Sequence, residues 1–348
     1  MRKINLKIYS YMLMTVINGI EIDNIQYIHN EMKAAIHNND PIEENLHVVI
    51  VISNPCQYAR RFILAREFIK RFEAESNVKL YVVELCYGTT QQFWVTDAKN
   101  PAHLQIRTNQ PAIWHKENMI NMGVRKLLPA NWKAFAWVDA DIEFESGTWA
   151  LDTLKILNGC RDVVQVFSHA VDMDKHEDPM QVFTSFGFQY TKNKPYGIQK
   201  PNSYWHPGFA WAMTRKAYDK VGGIFESSIL GSGDNNMALC FIGKGARSVN
   251  ELATDGYKQS ILNYQAKCTG LRLGYVPGVI RHYFHGSKAN RKYLERWQIL
   301  IVNAYDPAVH VTNDSDGLLI PTAKCPQQLL DDIAQYFSER NEDEGFKE

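Results

Sequence analysis

Four short stretches carry side chains whose types and spacing could do chemistry. The run AFAWVDADIEF (134–144) closes an apolar segment with two aspartates, Asp139 and Asp141, one residue apart. Residues two apart on a strand share a face. At a separation of about 4 Å and an effective dielectric of about 20, two such charges repel by roughly 4 kcal/mol, a penalty that a proton or a divalent cation removes. The alternative is a solvated loop pair without function. In GSGDNNMA (231–238) the glycines give a tight turn ahead of Asp234, which reads either as a helix cap or as a general base beside a cleft. In RHYFHGSKANRKYLERW (281–297), His282 and His285 precede a Gly-Ser turn. A neutral imidazole from this turn could join the aspartates on a metal such as Mn²⁺, and Lys288, Arg291 and Lys292 could face phosphate oxygens; the bland reading is a surface turn and a solvated helix face. WHPGFAWAMTR (205–215) is dense in aromatics. There Trp211 reads as core, whereas an exposed Trp205 could stack on a sugar ring and shape an acceptor groove.

Hydrophobic spacing predicts the elements that position these groups. LHVVIVISNP (46–55) is a β-branched run of the kind buried on both faces and ending in a loop. A helix is predicted over 58–75, with Phe62, Ala65, Ile69 and Phe72 on one side, and a second buried strand over 79–88. Strand, helix, strand begins a parallel sheet. Another helix spans 115–128, with Met119, Ile120, Val124 and Leu127 inward, and Pro129 ends it; strands follow at 134–144 and 162–174. Ligands of such sheets bind beyond the carboxyl ends of the strands, where Asp139 and Asp141 would sit. Further helices are expected at 215–221, 234–243, 290–303 and 326–340, the last with Leu329, Leu330, Ile333, Tyr336 and Phe337 as its buried stripe. An amphipathic helix at 24–38 (Ile25, Ile28, Met32, Ala35, Ile36) precedes the main domain, and the tail NEDEGFKE (341–348) is predicted to be disordered. The expected fold class is α/β, with a mixed, mainly parallel sheet flanked by helices. The expected division is an N-terminal extension (1–44), one large domain (45–305, its halves meeting near 178/179) and a C-terminal helix with an acidic tail (306–348).

The 348-residue chain is 45% hydrophobic, and its 38 basic and 38 acidic side chains cancel, so no global field recruits nucleic acid or an anionic membrane. Six scattered cysteines without a CxxC pair read as free thiols of a reducing compartment. No run approaches the roughly 20 apolar residues that span a bilayer. The expected location is the cytoplasm.

Taken in order, these pieces resemble nucleotide-sugar glycosyltransferases of the GT-A fold. The order is the strand ending SNP, the WHKENMINMG helix, VDAD, HPGFAWAMTRKAYDKVGG, GSGDNN and a late histidine, and it covers roughly 46–296. The pattern is most similar to the catalytic region of inverting, Mn²⁺-dependent β-1,4-galactosyltransferases and their relatives. The resemblance implies a Rossmann-like GT-A sheet, a UDP- or GDP-sugar donor, an acceptor hydroxyl and Mn²⁺ or Mg²⁺. It places Asp139, Asp141 and His285 on the metal, with His282 as the fallback, and Asp234 on the catalytic base. Ser53, Asn54, Pro55, Glu84, Lys116, Asn118, Asp139 and Ala140 fall on donor-binding positions, and Trp205, His206 and Trp211 on the acceptor side. The family's Glu-Asp-Asp run is reduced here to Gly-Asp-Asn-Asn, which leaves Asp234 as the one carboxylate of that turn. Phosphatases that begin with Asp-x-Asp usually carry Thr or Val just after it, whereas Ile142 and Glu143 follow here. A nucleotidyltransferase shares the diphosphate chemistry, and a glycan-binding protein could keep the fold without turnover.

Overall fold

A computed structural model gives the architecture and describes residues 15–17, 20–22, 31–192, 205–292 and 295–345. Strands β1 (Thr15–Ile17) and β2 (Ile20–Ile22) pair antiparallel, and helix α1 spans Glu31–Asn38 with Met32 and Ala35 buried; the predicted start of that helix, with Ile25 and Ile28, lies outside the described residues. Then come β3 (Leu46–Ser53), α2 (Ala59–Phe72), β4 (Val78–Tyr87), β5 (His103–Thr108), α3 (Lys116–Leu127), β6 (Ala134–Val138), β7 (Ile142–Phe144) and α4 (Trp149–Leu157). The second half holds β8 (Val163–Gln165), β9 (His169–Met173), β10 (Pro179–Ser185), α5 (Phe186–Thr191), β11 (Trp205–His206), β12 (Ala210–Thr214), α6 (Arg215–Val221), α7 (Gly233–Phe241) and α8 (Asp255–Cys268). It ends with β13 (Leu273–Tyr275), β14 (Val279–His282), α9 (Arg296–Val302), α10 (Pro307–His310), β15 (Val311–Asn313), β16 (Leu319–Pro321) and α11 (Gln327–Glu339).

The main sheet has seven strands in the order β13-β8-β12-β6-β3-β4-β5, parallel except that β12 runs against both its neighbours. The fold class is thus α/β with a mixed, mainly parallel sheet between helices, as the spacing predicts. Alternation along β6 shows how it is held: Phe135 and Trp137 enter the core on one face, and Ala134, Ala136 and Val138 enter the core on the other. Fully burying a large apolar side chain contributes roughly 1.5–3 kcal/mol. Helix α3 lies so close to the sheet that a Cβ at Gly123 would come within 2.8 Å of Val49 Cγ1. That seating fixes where the first residue of α3, Lys116, projects.

Two predicted strands are each divided between two sheets. Residues 134–144 form β6 in the main sheet and β7 in a five-stranded sheet of order β11-β10-β9-β14-β7, and residues 162–174 likewise form β8 and then β9. Asp139, Ala140 and Asp141 therefore lie in the crossing rather than within one strand. The Asp139 amide still pairs with Phe209 O at 2.8 Å, beside β12, whereas Asp141 O accepts from Tyr283 N at 2.8 Å, beside β14. The tail is a second correction. Residues 341–345 fold back onto the molecule, and Glu342 is only 1% exposed, because its charge is met by two arginines described below. Helices α4 and α8 and strand β5 are not among the elements that the spacing predicts. Among the described residues no helix is long and apolar enough to cross a membrane.

Candidate active site

The carboxyl ends of β3 and β6 open into a cleft of about 790 Å³, closed on its other sides by residues of the histidine loop, the start of α7 and α11. On one wall Asp141 meets both histidines: its Oδ2 lies 3.0 Å from His285 Nε2 and its Oδ1 3.9 Å from His282 Nε2. The two Nε2 atoms are 3.2 Å apart. His282 Nδ1 donates to Asp172 Oδ1 at 2.5 Å, which leaves the lone pair on Nε2. Arg291 Nη2 lies 2.7 Å from His285 Nε2 and 3.2 Å from its Nδ1, so a cation on His285 Nε2 takes the place of that arginine contact. One carboxylate oxygen and two imidazole nitrogens thus converge within 4.8 Å of one another.

These residues fit a divalent cation. Asp141 Oδ1 is buried and has no hydrogen-bond partner among the described residues, a costly state for an isolated carboxylate oxygen. Burial and Arg291 push the His285 pKa down to about 4, so the ring is neutral at pH 7, as a ligand must be. Burial would raise the pKa of Asp172, but His282 and the Lys288 ammonium together outweigh it and hold the carboxyl down to about 2. The carboxylate therefore accepts the Nδ1 proton throughout the neutral range. Asp172→Asn is expected to weaken Mn²⁺ binding by about 10–100-fold, as loss of a group that orients a ligand imidazole does. Isothermal titration checks this, and unchanged affinity would show that the carboxylate does not set the ring. Behind the pair, the Phe209 ring stacks on His206 at 4.0 Å and packs against His282 at 4.6 Å. Phe209 does so from φ +78°, a left-handed conformation that costs a non-glycine residue of order 1–3 kcal/mol.

Across the cleft, Lys116 Nζ bridges two carboxylates, Asp139 Oδ1 at 2.6 Å and Asp234 Oδ2 at 3.0 Å. Asp139 and Asp141 thus turn to different partners instead of sharing one. Asp234 stands in the first turn of α7 and makes no capping bond; Ser232, at φ +75°, turns the chain into that helix. With Oδ2 held by Lys116, Asp234 Oδ1 makes no hydrogen bond among the described residues, so the carboxylate keeps acceptor capacity. Glu117 lies beneath, so close to Gly233 that a Cβ there would be 2.1 Å from its Oε1. Burial, then the charge of Asp234, push the Glu117 pKa up to about 8.

A carboxyl with a raised folded-state pKa stays protonated in the native chain while the unfolded chain has lost its proton. Stability therefore falls as pH rises from about 4.5 to about 8, by at most about 3–5 kcal/mol. Glu117→Gln is expected to remove that slope. Calorimetry should find the variant several degrees more stable than the native chain at pH 8.5, with the difference shrinking at pH 5; parallel curves would contradict the buried acid.

Of the other anticipated residues, Ser53, Asn54, Pro55, Ala140, Trp205 and His206 line the cleft, but Trp205 is not the exposed ring anticipated: it is buried in the core, edge-on against Phe186. Ser53 Oγ is paired with Tyr87 OH at 2.9 Å, and Asn54 brackets the backbone of Tyr58. Glu84 is turned away and accepts from the amides of Trp94, Val95 and Thr96 and the Thr96 hydroxyl. Asn118 is also outside, binding Gly317 O and the Leu319 amide. Trp211 is 1% exposed in the core, its indole N–H on Pro207 O. Lys288 pairs with Asp172, and Lys292 with Glu339 on the surface. Sequence reasoning missed Asp172 and the wall built by Arg61, Tyr336, Phe337, Arg340 and Glu342. The first had a signal: Asp172 ends an apolar run in VDMD, as Asp139 does in VDAD.

No protein-family model matches the chain, and no curated protein matches it. Solved structures similar to it include a Drosophila β1,4-galactosyltransferase 7 mutant in complex with manganese, UDP-Gal and xylobiose, at 8% identity over 80% of this chain and 95% of that one, with a TM-score of 0.38. A second is a mannosyltransferase from Pyrobaculum calidifontis in complex with GDP-Man and Mn²⁺, at 14% identity over 76% of this chain and 63% of that one, with a TM-score of 0.38. A third is mannosyl-3-phosphoglycerate synthase from Rubrobacter xylanophilus, at 9% identity over 80% and 85%, with a TM-score of 0.33.

Proposed function

We propose that the protein is a metal-dependent glycosyltransferase of the GT-A type, moving a sugar from a UDP- or GDP-sugar to an acceptor hydroxyl with inversion. The observation that carries this reading is the pairing, in one cleft at the strand ends, of the Asp141–His282–His285 cluster with Asp234 on the opposite wall. Asp141, His282 and His285 would hold the cation, and two imidazoles suit Mn²⁺ better than Mg²⁺. When bound, the cation neutralises the charge that develops on a departing diphosphate.

The chain's own residues supply the rest. Among the described residues, six cationic and four anionic side chains line the cleft, a balance that favours an anionic donor. The Ser53–Pro55 loop and the end of β6 flank the donor, in the position open α/β sheets reserve for ligands. Lys116 fixes one oxygen of Asp234, and the carboxylate accepts the proton of the acceptor hydroxyl as that oxygen attacks the anomeric carbon. Trp205 and His206 bound the acceptor side.

The test is turnover of a panel of nucleotide sugars with Mn²⁺, followed by ³¹P NMR. Release of a nucleoside diphosphate is expected. Release of pyrophosphate from a sugar phosphate and a nucleoside triphosphate would assign nucleotidyl transfer instead, and no turnover with any donor would overturn the reading.

A further inference from the structure

The segment after α11 is tied to both loops that frame the cleft. Asp343 accepts from the backbone amides of Ala59 and Arg60 at 2.9 Å each, at the start of α2. Tyr58 OH lies against Phe337 O and Ser338 O, and a Cβ at Gly286, in the histidine loop, would sit 3.1 Å from Glu342 Cα. Between these anchors Glu342 is buried at 1% exposure. It receives Arg61 through Nε at 2.9 Å and also through Nη2, and Arg340 Nε at 2.8 Å. Arg61 Nη1 donates in addition to Ser53 O at 2.6 Å.

We propose that Glu342 is a positioning residue of the donor site: it clamps the Arg61 guanidinium beside the Ser53–Pro55 loop, where its remaining N–H groups meet the donor's diphosphate. This rests on the glycosyltransferase reading. A guanidinium has five N–H donors in a fixed fork, and three are engaged by Glu342 and Ser53. Arg61 lines the cleft together with Asn54 and Asp141, so its other edge lies on the way from the nucleotide loop to the metal cluster. A bidentate carboxylate holds the guanidinium plane at one angle, which a flexible arginine does not keep alone. Two arginines share one carboxylate here, so the group remains net cationic. Without Glu342, Arg61 and Arg340 would repel each other and Arg61 would lose its fixed orientation.

The experiment combines Glu342→Gln and Arg61→Ala, singly and together, in the full chain. Calorimetric titration uses Mn²⁺ alone, then UDP, GDP, ADP, CDP and dTDP in saturating Mn²⁺. Glu342→Gln is expected to weaken nucleoside diphosphate binding by about tenfold or more while Mn²⁺ affinity stays within about threefold, and to raise the donor KM with little change in kcat. In the Arg61→Ala background it should add nothing, because it acts through that guanidinium. A structural staple alone would instead lower Mn²⁺ and nucleotide affinity together, or give additive losses in the double variant, and either result overturns the proposal. Native nucleotide affinity in Glu342→Gln overturns it while leaving the glycosyltransferase reading intact; failure of the native chain to bind any of the five nucleotides overturns both. Should Glu342→Gln not fold, Glu342→Asp keeps the charge but withdraws it by one methylene. Several-fold weaker nucleotide binding at unchanged Mn²⁺ affinity is then expected, and native affinity overturns the positioning role.

Discussion

Asp234→Asn is expected to lower kcat by about 10²–10⁴, roughly 3–5 kcal/mol in the barrier, because the amide cannot accept the acceptor's proton. The substitution preserves shape, and Asp234 makes no capping bond whose loss would unsettle α7. Its contact with Lys116 is replaced in part, since that ammonium retains Asp139 as a partner. Binding of Mn²⁺ and donor should therefore persist within a few-fold. Steady-state kinetics with titration of metal and nucleotide checks this. Near-native turnover would remove Asp234 from the chemistry, and NMR of a product with the donor's anomeric configuration would contradict inversion even if the variant were inactive.

Asp141→Ala should abolish Mn²⁺-dependent turnover and reduce Mn²⁺ affinity by more than about 100-fold, since it removes the one carboxylate of the cluster. Stability gives an independent readout. At a free concentration 100 times its Kd, a ligand stabilises the native state by about 2.7 kcal/mol, which amounts to several degrees in Tm for a chain of this size. The native protein should show that Mn²⁺-induced rise and Asp141→Ala should not. The Mn²⁺-induced shift is read against each protein's own metal-free Tm, because the deletion also removes the Asp141 Oδ2 contact with His285 Nε2 and a charge that faces Arg291. A Mn²⁺-induced shift of native size in the variant would contradict the assignment.

The parts of the molecule legible in its sequence are those governed by local period. The β-branched runs of β3 and β4, the inward stripe of α3 and the buried stripe of α11 all appear close to where alternation and helical spacing place them. The cleft residues carried by those elements or by their ends, among them Asn54, Lys116 and Asp141, could be named for the same reason. What the sequence hid is non-local. Nothing in AFAWVDADIEF reveals that the chain changes sheets after Val138, so the two aspartates could not be seen to face different partners. Glu84 ends up satisfying a loop ten residues downstream, a pairing that composition does not encode. Glu342 looks like one charge of an acidic tail until α11 brings it against Arg61, nearly 300 positions earlier in the chain.

The central claim is that one cleft holds a divalent cation and a nucleoside diphosphate together, with Asp234 facing them. The measurement that tests it most directly is anomalous diffraction at the manganese edge from crystals soaked with Mn²⁺ and the nucleoside diphosphate that binds in solution. The account predicts a peak bounded by Asp141, His282 Nε2 and His285 Nε2, with phosphate oxygens completing the coordination and Asp234 across the cleft. A peak on other ligands, or nucleotide bound away from the Ser53–Pro55 loop with no manganese at the cluster, would contradict it.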